Sequence, residues 1–320
     1  MMNGVRDLVR LNDLNWLDET FAISNFVPLG RLQTSLQSFG MLSTPWIWTK
    51  PDGSKVIVDG FKRLAWARRQ GMIQVECAVF PAEYDSGKLM VERIEAKLFE
   101  STINTAEKAQ IISKLAGTCP EQTVLEAYLP RLGVAPQSGK FEEWIRLAHS
   151  SRELLAAAAL DEISERAALE LVGWERQSQT EMVSILSELR CSASIQWEIL
   201  ERVREIAVRE ETTAMQVLSD AGLVRNLRDP KKNHREKTQL VRAWLYQRRY
   251  PRIRAREEAF LRDLADISLP NNVKVLPPPS FEGQNWQLQL HFTSQEELLD
   301  VLKKLQNAAL SPQFTKLMQS

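Results

Sequence analysis

The stretch "KVIVDGFKRLAWARRQG", Lys55 to Gly71, decides how the N-terminal part of this chain is read. A β-branched run ends at Asp59-Gly60, and a basic, aromatic segment with helical spacing begins at once. Arg68 and Arg69 fall in the last turn of that segment, where a helix favours cations, and Gly71 falls where a helix stops. A strand that turns into a helix through glycine leaves the first helical N–H groups open toward an anion. Lys62 and Arg63 stand beside them. The same residues suit a plain tight turn with two solvated cations, and spacing alone leaves both readings standing.

Upstream, "PLGRLQTSLQSFGML" places Leu29, Leu32, Leu36 and Phe39 at helical spacing, with Gly40 as the stop. "TPWIWT", "KVIVD" and "VECAVF" have strand character, and "KPDGSK" between the first two predicts a hairpin turn. From about Leu89 to Leu264 the pattern is helical. "NTAEKAQIISKLAG" opens on an Asn104 cap with Glu107 three residues on. No fixed repeat period appears, so a helical solenoid is not indicated. After "VKVLPPPSFEG" the run "WQLQLHF" alternates strictly, with Trp286, Leu288, Leu290 and Phe292 on one face. "SQEE", Ser294 to Glu297, predicts a capping box at the start of a last helix carrying Leu298, Leu302 and Leu305. So small a strand–helix unit cannot bury its own apolar face, so it is expected to dock internally or to pair two chains into a homodimer.

The expected fold class is therefore α+β. A small mixed N-terminal domain covers 1–88, and a helical domain with a helix-turn-helix-like segment covers 89–224. A basic helical arm follows at 225–265, and a small β-β-α unit closes the chain at 266–320.

The chain has 320 residues, more than one small core needs, which sets the expectation of several domains. Its longest apolar run, Leu154–Leu160, is seven residues, far short of a membrane span. The opening "MMNGVRDLVRLNDLNW" carries acids and lacks the apolar core of a signal peptide, so a cytoplasmic chain with no membrane partner is expected. Cys77, Cys119 and Cys191 are far apart and form no C-x-x-C pair, which predicts reduced, unpaired thiols. With His149, His234 and His291 as the only imidazoles, a His/Cys zinc site lacks material, and no metal site is expected. "GVAPQSGKF" is not a phosphate loop: five residues separate Gly133 from Gly139 where four are required, and Phe141 replaces the hydroxyl residue. No serine-hydrolase elbow, zinc-protease or EF-hand pattern occurs, and no catalytic residue is assigned.

Lys plus Arg and Asp plus Glu both total 41, yet the charge is segregated. Between Arg225 and Arg262 there are 13 Lys and Arg against 4 acids, which leaves 28 against 37 elsewhere. Trp244, Tyr246 and Tyr250 interleave with the cations, an arrangement that suits an anionic, base-bearing partner. It equally suits a basic helix that pairs with acidic surface of the same chain.

The order of "ISNFVPLGRLQTSLQSFGMLSTPWIWTKPDGSKVIVDGFKRLAWARRQGMIQVECAVF" resembles the N-terminal domain of ParB-type chromosome and plasmid partition proteins, over about Ile23–Pro81. "SFGMLSTP" matches the family's G-hydrophobic-x-x-P turn, and "VDGFKRLAWARRQG" matches its G-E-R-R-x-R-A box and closing glycine. "STINTAEKAQIISKL", "LEAYLPRLGVAPQSGKFEEWIRLAHSSREL" and "DEISERAALEL" resemble the helical segments that follow, including a helix-turn-helix with two extra residues in its turn. Beyond about Leu218 nothing specific matches.

The resemblance implies a cytidine triphosphate cradle at Gly60, Lys62 and Arg63, in a fold shared with sulfiredoxin. Phe61 and Ala65 depart from the box, and "AKLFE" at Ala96–Glu100 lacks the acid and amide of the E-N-x-x-R magnesium motif. The implied ligand is a CTP-like nucleotide bound without hydrolysis, since a triphosphate–magnesium site needs a hard carboxylate ligand. Sulfiredoxin's reactive cysteine is replaced by Phe61, and the histidines of ParB-like serine kinases are missing from "DGFKR". DNA is the expected partner, through Lys140 and Arg146 on the helix-turn-helix and through Lys231, Lys232, Arg235, Arg248, Arg249, Arg252 and Arg254 in the arm. Glu142 and Glu143 argue against sequence-specific reading by that helix, because acid beside phosphate is repulsive. Two alternatives stand beside a DNA-associated protein. One is a phosphotransfer or nuclease-like enzyme using Asp59, and the other is a protein-interaction scaffold.

Overall fold

The computed structural model describes residues 4–24, 29–100, 102–278, 281 and 285–318, apart from the side chains of Arg31 and Glu100. Part of the segment ahead of the first helix, the Glu100 side chain and part of the proline-rich run before "WQLQLHF" thus lie outside the described residues. The architecture is mixed α+β: a five-stranded sheet, a long helical series and a separate two-stranded sheet. The N-terminal strands are β1 (Val5–Arg10), β2 (Leu14–Asn15), β3 (Trp46–Thr49), β4 (Lys55–Asp59) and β5 (Gln74–Phe80), in sheet order β1-β5-β3-β4-β2. Among them run α1 (Gly30–Phe39) and α2 (Phe61–Arg69).

The helical series is α3 (Ser86–Glu100), α4 (Thr105–Ala116), a short α5 (Glu121–Thr123) that widens into a π-turn at Val124–Tyr128, α6 (Ser138–Ala148), α7 (Arg152–Ala159), α8 (Glu165–Leu171), α9 (Arg176–Leu189) and α10 (Ala193–Arg209). It continues through α11 (Ala214–Leu218), α12 (Ala221–Arg228), α13 (His234–Arg249) and α14 (Pro251–Ala265). The chain closes with β6 (Val273–Leu276), β7 (Gln287–Leu290), α15 (Gln295–Ala309) and α16 (Pro312–Leu317). Two compact units result: Met1–Glu201 with Thr213–Thr238, and Arg202–Thr212 with Gln239–Ser320. Among the described residues no helix is long and apolar enough to cross a membrane.

In the first unit, β4 is buried through Val56, Ile57 and Val58, because helices cover the sheet on both sides of it. Leu64 and Ala67 of α2 pack with Ile57, Ile47, Val75 and Cys77, and α3 lies against β4. Burial raises the Cys77 thiol to about 11, so it remains a protonated core group. The "KPDGSK" hairpin forms as expected: β3 and β4 pair antiparallel, and Lys50 donates its N–H to the Ser54 carbonyl at 2.8 Å. Gly40, at φ +70°, ends α1. Strands β1 and β2 had no forecast in the sequence.

The Asn104 cap forms its reciprocal box with Glu107. At α15 only half the expected box forms. Ser294 accepts from the Glu297 N–H, but the Glu297 carboxylate turns to Thr293 and the Asn272 amide. In the second unit α15 lays Val301 and Leu305 on Val273 of the two-stranded sheet, and Phe260, Val275 and Leu317 form the neighbouring cluster.

Candidate anion-binding site

Gly60 is the hinge of the site. At φ +86° it occupies the left-handed region, which is strained for any residue with a side chain. A Cβ there would stand 2.9 Å from Pro45 Cβ and 3.2 Å from the Arg63 guanidinium. The turn therefore brings the end of β4, the start of α2 and Pro45 close together. The first α-helical bond, Leu64 N–H to the Gly60 carbonyl, measures 2.9 Å, and Gly60, at the N-cap, has no side chain to cap the helix.

Asp59, just before the turn, is clamped by two guanidiniums. Arg63 Nη2 donates to one oxygen at 2.6 Å and Arg93 Nη2 to the other at 2.8 Å. Arg63 also donates to the carbonyl and hydroxyl of Ser43, so its head is held by three groups. On the facing helices Lys97 meets Glu107 at 2.8 Å, and Ser24 donates to the same carboxylate at 2.6 Å.

These groups line a cavity of about 210 Å³, whose charged walls are Asp59, Lys62, Arg63, Arg93, Lys97 and Glu107. Among the described residues, four cations against two carboxylates leave an excess of positive charge. Both carboxylates are already engaged, which makes them counter-ions that hold the cations in place. Arg93 is 8 % exposed, and its Nε is buried with no hydrogen-bond partner among the described residues. An unmade bond on a buried guanidinium is costly, and Asp59 on Nη2 holds this one in the cavity wall.

Burial pulls the Lys62 ammonium below its ordinary value; Glu107 opposes that fall and Lys97 adds to it. A bound anion stabilises the charged amine, so binding takes up a proton wherever Lys62 is partly neutral. Anion affinity should therefore fall as pH rises through the depressed Lys62 value, below the ordinary 10.5. Lys62→Met should flatten that dependence, and calorimetric titration of pyrophosphate across alkaline pH measures it. A native chain with flat affinity across that range would exclude Lys62 from the site.

Phe61 and Lys62 also border a second cavity of about 550 Å³, with Trp16, Ala65, Arg69 and Arg152 in its walls. The two positions that depart from the partition-protein box, Phe61 and Ala65, both face this space.

Of the expected phosphate residues, the structure brings Gly60, Lys62 and Arg63 to one cavity. It adds Arg93, Lys97 and Glu107, which sequence reasoning passed over. The helix expected to carry the second nucleotide motif does reach the cavity, through Arg93 and Lys97, ahead of and within Ala96–Glu100. One signal was available: Arg93 interrupts the buried stripe of Leu89, Met90 and Ile94 on α3.

The expected DNA contacts fall on α6, around the start of α13, and along α13 and α14. Lys140 and Arg146 lie exposed on α6, whose Phe141, Trp144 and Leu147 are buried, and Lys140 pairs with Glu143 at 2.8 Å. Lys231, Lys232 and Arg235 flank the start of α13, where Lys232 meets Asp229 at 3.3 Å.

In the second unit Arg248 meets Glu210 at 2.7 Å, Arg249 meets Glu205 at 2.7 Å and Arg254 meets Glu258 at 2.8 Å. The Glu210 carboxylate is held below its ordinary value by its hydrogen bonds with Arg248 and Arg209. The aromatics of the arm are engaged as well: Arg248 sits over Trp244, Arg249 over Tyr250 and Arg202 over Tyr246. Of the nine expected residues, Arg146, Lys231, Arg235 and Arg252 are exposed and make no ion pair among the described residues.

No protein-family model matches the chain, and a search of curated proteins finds no match. Among solved structures the chain is similar to the C-terminally truncated chromosome-partitioning protein ParB from Caulobacter crescentus complexed with CTP-gamma-S. The identity is 17 % and the TM-score 0.24, over 57 % of this chain and 99 % of that one.

Proposed function

We propose that this chain is a partition-type, DNA-associated protein whose N-terminal cavity holds a phosphate-bearing ligand of the nucleotide class without turning it over. The observation that carries the ligand reading is the charge of the cavity: among the described residues Lys62, Arg63, Arg93 and Lys97 line it against Asp59 and Glu107. The partition reading draws on the order of the motifs between Ile23 and Pro81, with Gly60, Lys62 and Arg63 at the matching box positions.

The enzyme alternative needs Asp59 as a base. Each of its oxygens already accepts from a guanidinium, so it is spent as a counter-ion, and this favours binding over turnover. For DNA, the support is the set of exposed cations Arg146, Lys231, Arg235 and Arg252, which make no ion pair among the described residues. Cations of that kind contact backbone phosphate and give sequence-independent affinity.

Calorimetric titration of the full chain with CTP, ATP and pyrophosphate, with inorganic phosphate release followed in parallel, tests the ligand reading. Saturable binding without release is expected; no saturable binding of any of the three at low salt would leave an interaction scaffold. Duplex DNA affinity should fall steeply with salt. Changing Arg146, Lys231, Arg235 and Arg252 to Ala should flatten the log–log slope by roughly 3 to 4. Changing Arg248 and Arg249 should alter it less, since glutamates already neutralise them. The opposite ranking would move the DNA contact to the α13–α14 joint.

A further inference from the structure

The larger of the two cavities bordered by Phe61 and Lys62 is a site of a different kind. At about 550 Å³ it falls within the range of small-molecule sites, roughly 300–1,000 Å³, and it lies wholly in the first unit. Two aromatic rings stand in its walls, Trp16 from the turn after β2 and Phe61 from the start of α2. Both are anchored. The Trp16 indole N–H donates to the Leu11 carbonyl at 2.9 Å, and the Arg68 guanidinium lies 5.0 Å from the Trp16 ring. Both rings pack against the core cluster that holds Leu64 and Ala67. Ala65, one turn on from Phe61 along α2, contributes only a methyl group, which leaves the space beside the rings open.

The charge of this cavity comes from two guanidiniums. Arg69 and Arg152 reach it from α2 and α7, and neither makes an ion pair among the described residues. Arg69 sits in the last turn of its helix, where a cation is favoured. Arg152 is the first residue of α7, where the helix dipole works against a cation, so its position there gains nothing for the helix. Glu19 is the acid of the wall, and Lys114 stands beside it, donating to the Glu19 carbonyl at 3.2 Å. Lys62 interacts with Glu107 and Lys97 of the smaller cavity. Arg69 and Arg152 are thus left to an anion from outside the chain.

We propose that the larger cavity binds a small aromatic carboxylate, with one or two fused rings against Trp16 and Phe61 and the carboxylate held by Arg69 and Arg152. The walls select a flat apolar body, the volume limits its size, and the guanidinium forks match a carboxylate's two oxygens. This ligand is separate from the phosphate-bearing one of the smaller cavity, and its site stands whether or not that one is filled.

Calorimetric titration of the full chain with 2-naphthoate is the test, and saturable one-to-one binding is expected below about 1 mM. Two probes divide the recognition. 2-Naphthol keeps the rings without the charge, hexanoate keeps the charge without the rings, and each should bind at least about tenfold more weakly. Ala65→Leu fills the open space with a good helix former; it should weaken 2-naphthoate by about tenfold or more while far-UV circular dichroism stays unchanged. Arg69→Gln and Arg152→Gln, at exposed positions, should each weaken it by about tenfold. Arg93→Met, in the smaller cavity, should leave it unchanged. No saturable heat, equal affinity for 2-naphthol, or native affinity in Ala65→Leu would each overturn the inference. Displacement of 2-naphthoate by CTP, or its loss in Arg93→Met, would overturn it too, by making the two cavities one nucleotide site. Pyrophosphate titration of the same samples reads the smaller cavity on its own, so failure of one site is told apart from failure of the other.

Discussion

An Arg93→Met chain binds pyrophosphate about a hundredfold more weakly than the native chain, yet loses only about 1–2 kcal/mol of stability. The two effects separate because Arg93 plays two parts. Toward a ligand it supplies a fixed cation in the cavity wall. A charge-assisted hydrogen bond with its Coulomb share is worth about 3 kcal/mol in such a site, which is the hundredfold. Toward the fold it supplies one of two guanidiniums on Asp59, and Arg63 remains on the other oxygen at 2.6 Å. Removing Arg93 also removes the unmade Nε bond, which returns about 1 kcal/mol. Methionine refills the volume of the aliphatic stem among Leu89, Met90 and Ile94. Arg93→Lys should fall between, since it keeps the charge but not the fork. Titration calorimetry and urea unfolding of the same samples give both numbers. Unchanged pyrophosphate affinity in Arg93→Met would remove the cavity as the binding site.

Why Arg93 escaped the sequence shows what sequence can carry. The strands and helix around Gly60 were legible because their signals are local. Val56, Ile57 and Val58 form a β-branched run, Gly60 marks the turn, and Gly71 closes the helix that carries Leu64 and Ala67. Strand β1 was not legible, because "VRDLVR" does not alternate and only Val9 of it is buried. Its strand state comes from pairing with β5, some seventy residues on (Val5 with Val79). Arg93 reads as a surface cation until Asp59, on another element, is seen to need two of them.

The basic arm shows the converse. Its charge was plain in the composition, but the glutamates that neutralise Arg248 and Arg249 sit about forty residues upstream on α10 and in the turn after it. Of the two readings that composition left open, pairing within the chain accounts for three arginines of the arm's second half. Sequence registers how much charge a segment has; which partner uses it is a property of tertiary contact.

Gly60→Ala should destabilise the first unit by about 2–5 kcal/mol, the largest loss expected from any single-methyl change in this site. Two independent penalties add. The left-handed backbone, φ +86°, costs a side-chain-bearing residue roughly 1–2 kcal/mol. The new Cβ would also lie 2.9 Å from Pro45 Cβ, a ring atom fused to backbone that cannot swing aside, and overpacking of that kind costs about 1–3 kcal/mol.

Gly71 separates the two. It has φ +76° and nothing within 4 Å of an added Cβ, so Gly71→Ala should show the backbone penalty alone. Asparagine, which tolerates the left-handed region, should be nearly neutral at 71 and still damaging at 60. The same added methyl would stand 3.2 Å from the Arg63 Nε and Nη2 atoms, pushing that guanidinium off Asp59. Pyrophosphate affinity should therefore fall with stability in Gly60→Ala and stay near native in Gly71→Ala. Equal losses at the two glycines would mean that Pro45 gives way freely, and the turn would then position the cavity by backbone conformation alone.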